Sequence, residues 1–157
     1  MEPRLDLIGT PERAKIAKYL QSAGQAITAL KLPPVTQELV SLRTSQINGC
    51  GVCVDMHTKE AVHAGETHER LHMVAVWRES KVFTDAERAA LAFAEQAARF
   101  ADGDAGVSDD VWADAAEHYD EDQLAALVYL VSFMSTANRM NVIVRNAGGD
   151  YQVGQFG

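Results

Sequence analysis

Residues 124–134, LAALVYLVSFM, form an apolar run broken only by Tyr129 and Ser132. On a helix such a run is apolar over most of the circumference, and a helix of that kind sits at the centre of a core or in a subunit interface. The run falls well short of the roughly 20 apolar residues that span a bilayer. Other elements of the chain must therefore cover it.

The signals for those elements are helical throughout. Thr10-Pro11-Glu12 opens a first helix, with Thr as N-cap and Pro at the first helical position. Ile16, Leu20, Ala23, Ile27 and Leu30 then recur at helical spacing on one face, before Leu32-Pro33-Pro34 ends the helix. A second helix is expected over residues 36–47, with Leu39, Val40, Ile47 and Leu42 inward, broken by Asn48-Gly49. A third begins near Cys50 and stops at Ala64-Gly65, and a shorter one covers residues 67–78. Thr84 with Glu87 is a capping box for a helix reaching about Phe100. ADGDAGV, residues 101–107, reads as a loop. Ser108 caps a helix carrying Val111, Trp112 and Ala115, and Asp120 with Gln123 caps the last helix, which runs to about Asn146. No repeat, linker or strand-like alternation interrupts this order. The expected fold is all-α, a helical bundle in one domain over residues 1–157.

With 157 residues, 47% hydrophobic and 23% charged, the chain can bury one ordinary core. A net charge of −8 argues against nucleic acid, whose phosphates attract Lys and Arg patches. The N-terminal MEPRLDLIGTPERAK is charged and lacks the apolar stretch of a signal peptide. A cytoplasmic protein with no membrane partner is expected.

The chain has two cysteines, and both lie in NGCGVCVDMH, at positions 50 and 53, with His57 four residues on. Residues three and four apart are neighbours on a helix, so Cys50, Cys53 and His57 share one stripe. The thiols can reach each other if Cys50 sits in the flexible first turn. The helix N-terminus favours thiolate over thiol, and His57 can take a proton from Cys53 or stabilise its thiolate. A thiol pair with one activated member suits peroxide reduction or disulfide exchange: one sulfur attacks, the other resolves. A structural disulfide, a zinc site and two inert buried thiols are the alternatives. Zinc is disfavoured because only three ligands lie at suitable local spacing. A staple is disfavoured in a reducing compartment.

ELVSLRTSQINGCGVCVDMH resembles the core of the AhpD-type alkylhydroperoxidases, within the carboxymuconolactone decarboxylase superfamily. That family's pattern is a Glu, eleven residues, CxxC, three residues and His. Glu38, Cys50, Cys53 and His57 fit it in full, and ERLHMVAVWRESKVFTDAERAALAFAEQAAR continues the likeness, which covers residues 38–99. The resemblance implies an all-helical subunit assembling into homo-oligomers, commonly trimers or hexamers. It implies that Cys53 attacks a hydroperoxide, that Cys50 resolves the product to a disulfide, and that Glu38 and His57 relay the proton, partly through water. The best-known members carry a second His inside the CxxC, where this chain has Val52, which leaves the relay one imidazole. The helix terminus by itself would activate Cys50 most, whereas His57, one turn after Cys53, favours Cys53. The resemblance assigns the attack to Cys53.

His68-Glu69-Arg70-Leu71-His72 matches HExxH, the zinc metalloprotease signature. The extended form needs Gly at position 75 and His at 78, where this chain has Ala75 and Arg78, and a third ligand such as Glu95 has nothing to favour it. The pair reads as surface histidines, as do His63 and His118. Trp77, Phe93, Trp112, Tyr129 and Phe133 read as core or interface aromatics. Asn138, Arg139 and Asn141, late in the apolar helix, read as its emergence at the surface, with an interface or substrate role as the alternative. The expected activity is thiol-dependent reduction of a hydroperoxide, with an external dithiol as reductant and no cofactor or metal. Its rivals are a γ-carboxymuconolactone decarboxylase, which acts without a CxxC pair, and a non-enzymatic, redox-sensing helical oligomer.

Overall fold

A computed structural model describes residues 2–100 and 106–155 of the chain. In them the order is α1 (Pro11–Thr28), α2 (Pro34–Ile47), α3 (Gly51–His63), α4 (His68–Met73), a 3-10 helix (Val74–Glu79), α5 (Asp85–Ala98), α6 (Asp109–His118) and α7 (Glu121–Val144). There is no strand among the described residues, and the fold is an all-α bundle as the sequence predicts. Most of the expected loop at 101–107 lies outside the described residues.

The caps hold. Thr10 accepts from the Arg13 amide, Ser108 from Val111, and capping boxes close at Thr84–Glu87 and Asp120–Gln123. Each satisfies a backbone amide that the first turn leaves without a partner. Helix α7 packs against α1, α2, α3, α5 and α6, so one face of the apolar run lies at the centre of the bundle, while Val128, Tyr129 and Ser132 are exposed. Its Ala126, Leu127, Leu130, Val131 and Met134 join Val40, Phe93, Ala94 and both cysteines in one buried cluster. A second cluster, with Leu39, Leu42, Leu71, Val74, Trp77, Phe83 and Leu91, lies between α2, α4 and α5.

One expectation needs correcting, the helix at 67–78, and α1 and α7 each show something the sequence pattern leaves open. The apolar stripe of α1 is not buried in the single chain: no residue of α1 is fully buried, and Ile16 is 63% exposed. Helix α1 leans on α7 through Gly24, where an added Cβ would stand 3.1 Å from the Phe133 ring; Ile27 and Leu30 of the stripe pack half-buried against the main core cluster, while Ile16 and Ala23 are exposed. Periodicity tells which face is apolar, not whether the same chain covers it. The helix expected at 67–78 changes character after Met73: Val76 leaves helical geometry, and Trp77 turns into the core. Arg88 then donates to the freed carbonyls of Trp77 and Ser80, at 3.0 and 2.8 Å. Finally, α7 as a whole has 24 residues and, by length and composition alone, is apolar enough to cross a membrane, although the run at its centre is not.

Candidate active site

Helix α2 ends at Asn48, and Gly49 takes φ +67°, a left-handed turn that glycine adopts without strain. The turn places Cys50 as the N-cap of α3, its amide donating to the Ser45 carbonyl at 3.0 Å. Cys50 and Cys53 are joined in a disulfide, with their Cα atoms 5.3 Å apart. Extended backbone at the N-cap gives Cys50 the freedom this needs, which a residue inside the helix would lack. The pair is 1% and 3% exposed and packs among apolar side chains of α2, α5 and α7.

His57, one turn beyond Cys53, is buried on the same face of α3. Its Nδ1 meets Glu38 Oε2 of α2 at 2.9 Å. A carboxylate can only accept, so Nδ1–H is the donor in this contact and Nε2 is the ring nitrogen left to exchange a proton. That Nε2 is buried with no hydrogen-bond partner. Cys50, Cys53 and His57, singled out by helical spacing, and Glu38, singled out by the family resemblance, thus come together on the facing α2 and α3. In the disulfide form His57 makes no hydrogen bond to Cys53; it waits one turn away.

What the sequence did not single out for this site is the group that touches the sulfur. Asn141 of α7 directs Nδ2 at Cys53 Sγ, 3.6 Å away, and also donates to the Ala137 carbonyl at 3.0 Å. Its Oδ1 accepts from Asn146 Nδ2 at 2.8 Å. Asn138 is fully buried, donating to Ser45 Oγ and accepting from Asn48. Of the three polar residues late in α7, surface emergence describes Arg139 alone. The available signal was their spacing: Ala137, Asn138 and Asn141 continue the buried face of Leu127, Leu130, Val131 and Met134.

The C-terminal segment lies over α3. Asp55 accepts from the amides of Gly149 and Tyr151, Lys59 donates to both carbonyls of the same two residues, and Glu60 accepts from the Gly154 amide and the Tyr151 hydroxyl. The Lys59 ammonium, then the two amides, hold the Asp55 carboxyl below its ordinary range against the opposing effect of burial. The Gly154 amide and the Tyr151 hydroxyl do the same for Glu60. Burial, with the Glu60 carboxylate beside it, pushes Tyr151 up to about 12. The segment passes so close to the cysteine turn that a Cβ on Gly148 would stand 2.5 Å from the Gly51 carbonyl oxygen.

The other candidates fall away from this site. His68 and His72 are exposed, as are His63 and His118, and no group of three metal-ligating side chains occurs among the described residues. Glu95 is taken up by Arg43, Arg78 and Trp77 Nε1, at 2.8, 2.8 and 2.9 Å. Trp77 and Phe93 are core residues, while Trp112 and Tyr129 are exposed. Two surface clefts, one lined by Arg78, Lys81, Phe83 and Arg88 and one by Arg43, Trp77, Arg78 and Glu95, include none of the four site residues.

Residues 14–96 match the carboxymuconolactone decarboxylase family. The uncharacterized protein YdfG of Bacillus subtilis (strain 168) is 35% identical over 111 residues, covering 71% of this chain and 74% of YdfG. The uncharacterized YnjA of Escherichia coli (strain K12) is 34% identical over 110 residues, and the match spans 59% of its length, less than two thirds. Among solved structures, a protein of unknown function from Agrobacterium tumefaciens, provisionally named an antioxidant defence protein AhpD, superposes with a TM-score of 0.87 at 28% identity. That match covers 96% of this chain and all of the other.

Proposed function

The chain belongs to the carboxymuconolactone decarboxylase family, and from that membership we propose that it is an AhpD-type thiol peroxidase acting on organic hydroperoxides. The observation that carries this reading is the Cys50–Cys53 pair on the first turn of α3, with the Glu38–His57 pair one turn away. In the reduced enzyme His57 Nε2 takes the Cys53 proton. The thiolate attacks the terminal peroxide oxygen, the O–O bond breaks, and the leaving alkoxide takes that proton back as alcohol. Cys53 is now a sulfenic acid. Cys50 attacks it, the S–S bond forms and water leaves. An external dithiol returns two electrons and two protons, completing the cycle. Glu38 fixes the imidazole tautomer and stabilises the imidazolium. Val52 supplies no second imidazole, so His57 carries the proton alone.

In this reading the protein works in the cytoplasm, where dithiol reductants are maintained, as a homo-oligomer, a trimer or hexamer. The exposed Ile16 and Tyr19 of α1 and the exposed Val128, Tyr129 and Ile143 of α7 support the assembly.

The test is to reduce the protein, add one equivalent of an organic hydroperoxide, and follow free thiols with intact mass at the end. Both thiols should vanish with loss of two hydrogens, and Cys53→Ser should abolish turnover. Persistence of both thiols in the native protein, or unchanged turnover in Cys53→Ser, defeats the reading. Lactone decarboxylation surviving replacement of both cysteines would put the decarboxylase in its place. A reactive disulfide without turnover would leave a redox sensor.

A further inference from the structure

We infer that Asn141 is a catalytic residue of this site, its side-chain amide donating a hydrogen bond to the Cys53 thiolate, with Asn146 as the residue that positions it. The inference rests on the reading of Cys53 as the attacking thiol. The need for such a donor follows from burial. Cys53 is 3% exposed among apolar side chains, surroundings that oppose ionisation of a thiol. The helix N-terminus aids Cys50 more than Cys53, and His57 makes no hydrogen bond to the sulfur. The donor that does reach Cys53 Sγ is Asn141 Nδ2, 3.6 Å away.

The orientation of that amide is determined by its partners. One N–H of Nδ2 points to the Ala137 carbonyl, which can only accept, and the other to the sulfur. Turning the amide over would set Oδ1 against that carbonyl and Nδ2 against the Asn146 amide nitrogen. Both contacts are repulsive, so the donor stays on the sulfur side. A sulfur in a disulfide is a weak acceptor, and a thiolate accepts a charge-assisted bond of about twice the strength. Asn141 thus favours the reduced, ionised state over both the thiol and the disulfide. Asn146 follows the αL residue Arg145 that ends α7, and it leads into the segment docked on α3. The placement of the C-terminal segment therefore reaches the sulfur through two amides.

The test uses full-length protein with Cys50→Ser, leaving Cys53 as the single thiol, and measures its alkylation rate by iodoacetamide against pH. Glu38 and His57, the titratable pair facing the site, are retained throughout. Asn141→Ala should raise the pH midpoint by about one unit, a tenfold loss of thiolate on the acid side. Asn141→Asp, of the same size, should raise it further, because a carboxylate replaces the donor. Asn146→Ala should raise it by less. Unchanged midpoints in Asn141→Ala and Asn141→Asp, both folded by circular dichroism, overturn the inference. Hydroperoxide turnover is measured on the same substitutions with Cys50 intact. If the midpoints shift and the native protein turns over no hydroperoxide, the proposed function fails and the role of Asn141 at the sulfur stands.

Discussion

At the scale of single residues, polar groups in the interior are made tolerable by partners that other elements bring to them. Glu95 is the clearest case. Burial alone would push its carboxyl up, but hydrogen bonds from Trp77, Arg43 and Arg78 outweigh it and hold the group at about 2, against an ordinary 4.5. A carboxyl depressed in the folded state stabilises the protein above its unfolded value and loses that contribution as pH falls towards the folded one. Glu95, 14% exposed in its side chain, should therefore contribute about 2–3 kcal/mol at neutral pH, lost between roughly pH 5 and pH 2. Urea unfolding at a series of pH values checks this: the native protein should weaken across that window, and Glu95→Gln, already weaker at neutral pH, should weaken less. An equal slope in both would show that other carboxylates govern acid unfolding. Asn141 is the second case, with the sulfur of Cys53 as its partner, and its alkylation test tells a functional contact from a packing one.

At the scale of elements, α3 is held from both sides. On one side α2 supplies Glu38, and on the other the C-terminal segment lies across Asp55, Lys59 and Glu60. The tightest point is Gly148 against Gly51, where backbone meets backbone and no flexible side chain can give way. Gly148→Ala should lift the segment from the cysteine turn and cost roughly 1–3 kcal/mol of stability. Chemical denaturation reads the cost, and faster hydrogen exchange at the amides of Gly149, Tyr151 and Gly154 reads the displacement. Unaltered exchange at those three amides would mean that the segment is not anchored there. The 3-10 helix before α5 is shaped in the same way: Trp77 reaches Glu95, and Arg88 satisfies the carbonyls that the broken helix releases. No local pattern in VAVWRE encodes that break, because its cause lies 11 and 18 residues further on.

At the scale of the whole molecule, the apolar surface that one chain leaves uncovered is the main unresolved demand. Ile16 and Tyr19 of α1 and Tyr129 and Ile143 of α7 are each more than half exposed. Tyr129, Thr136 and Ile143 are spaced by two helical turns and fall on one side of α7. Light scattering on the native protein should give a mass several times the 17.1 kDa of one chain, and Tyr129→Glu with Ile143→Glu should shift it towards the single chain. A native mass of one chain would rule out the assembly.

The sequence alone determined what depends on short-range chemistry. Helix starts were legible because a cap is a contact between residues three apart: Thr10, Thr84, Ser108 and Asp120 all cap as expected. The Cys50–Cys53–His57 stripe was legible for the same reason, being set by helical spacing within one element. Glu38 was the exception, reached by likeness to a family pattern and not by local physics. Tertiary structure decided everything that joins distant segments. Asn141 meets Cys53 across 88 positions, Glu95 meets Arg43 across 52, and Asp55 meets the Tyr151 amide across 96. Such contacts have no period in the sequence. They depend on how α7, α2 and the C-terminal segment pack, and that is fixed by the summed burial of many apolar side chains around α7 rather than by either residue of the pair.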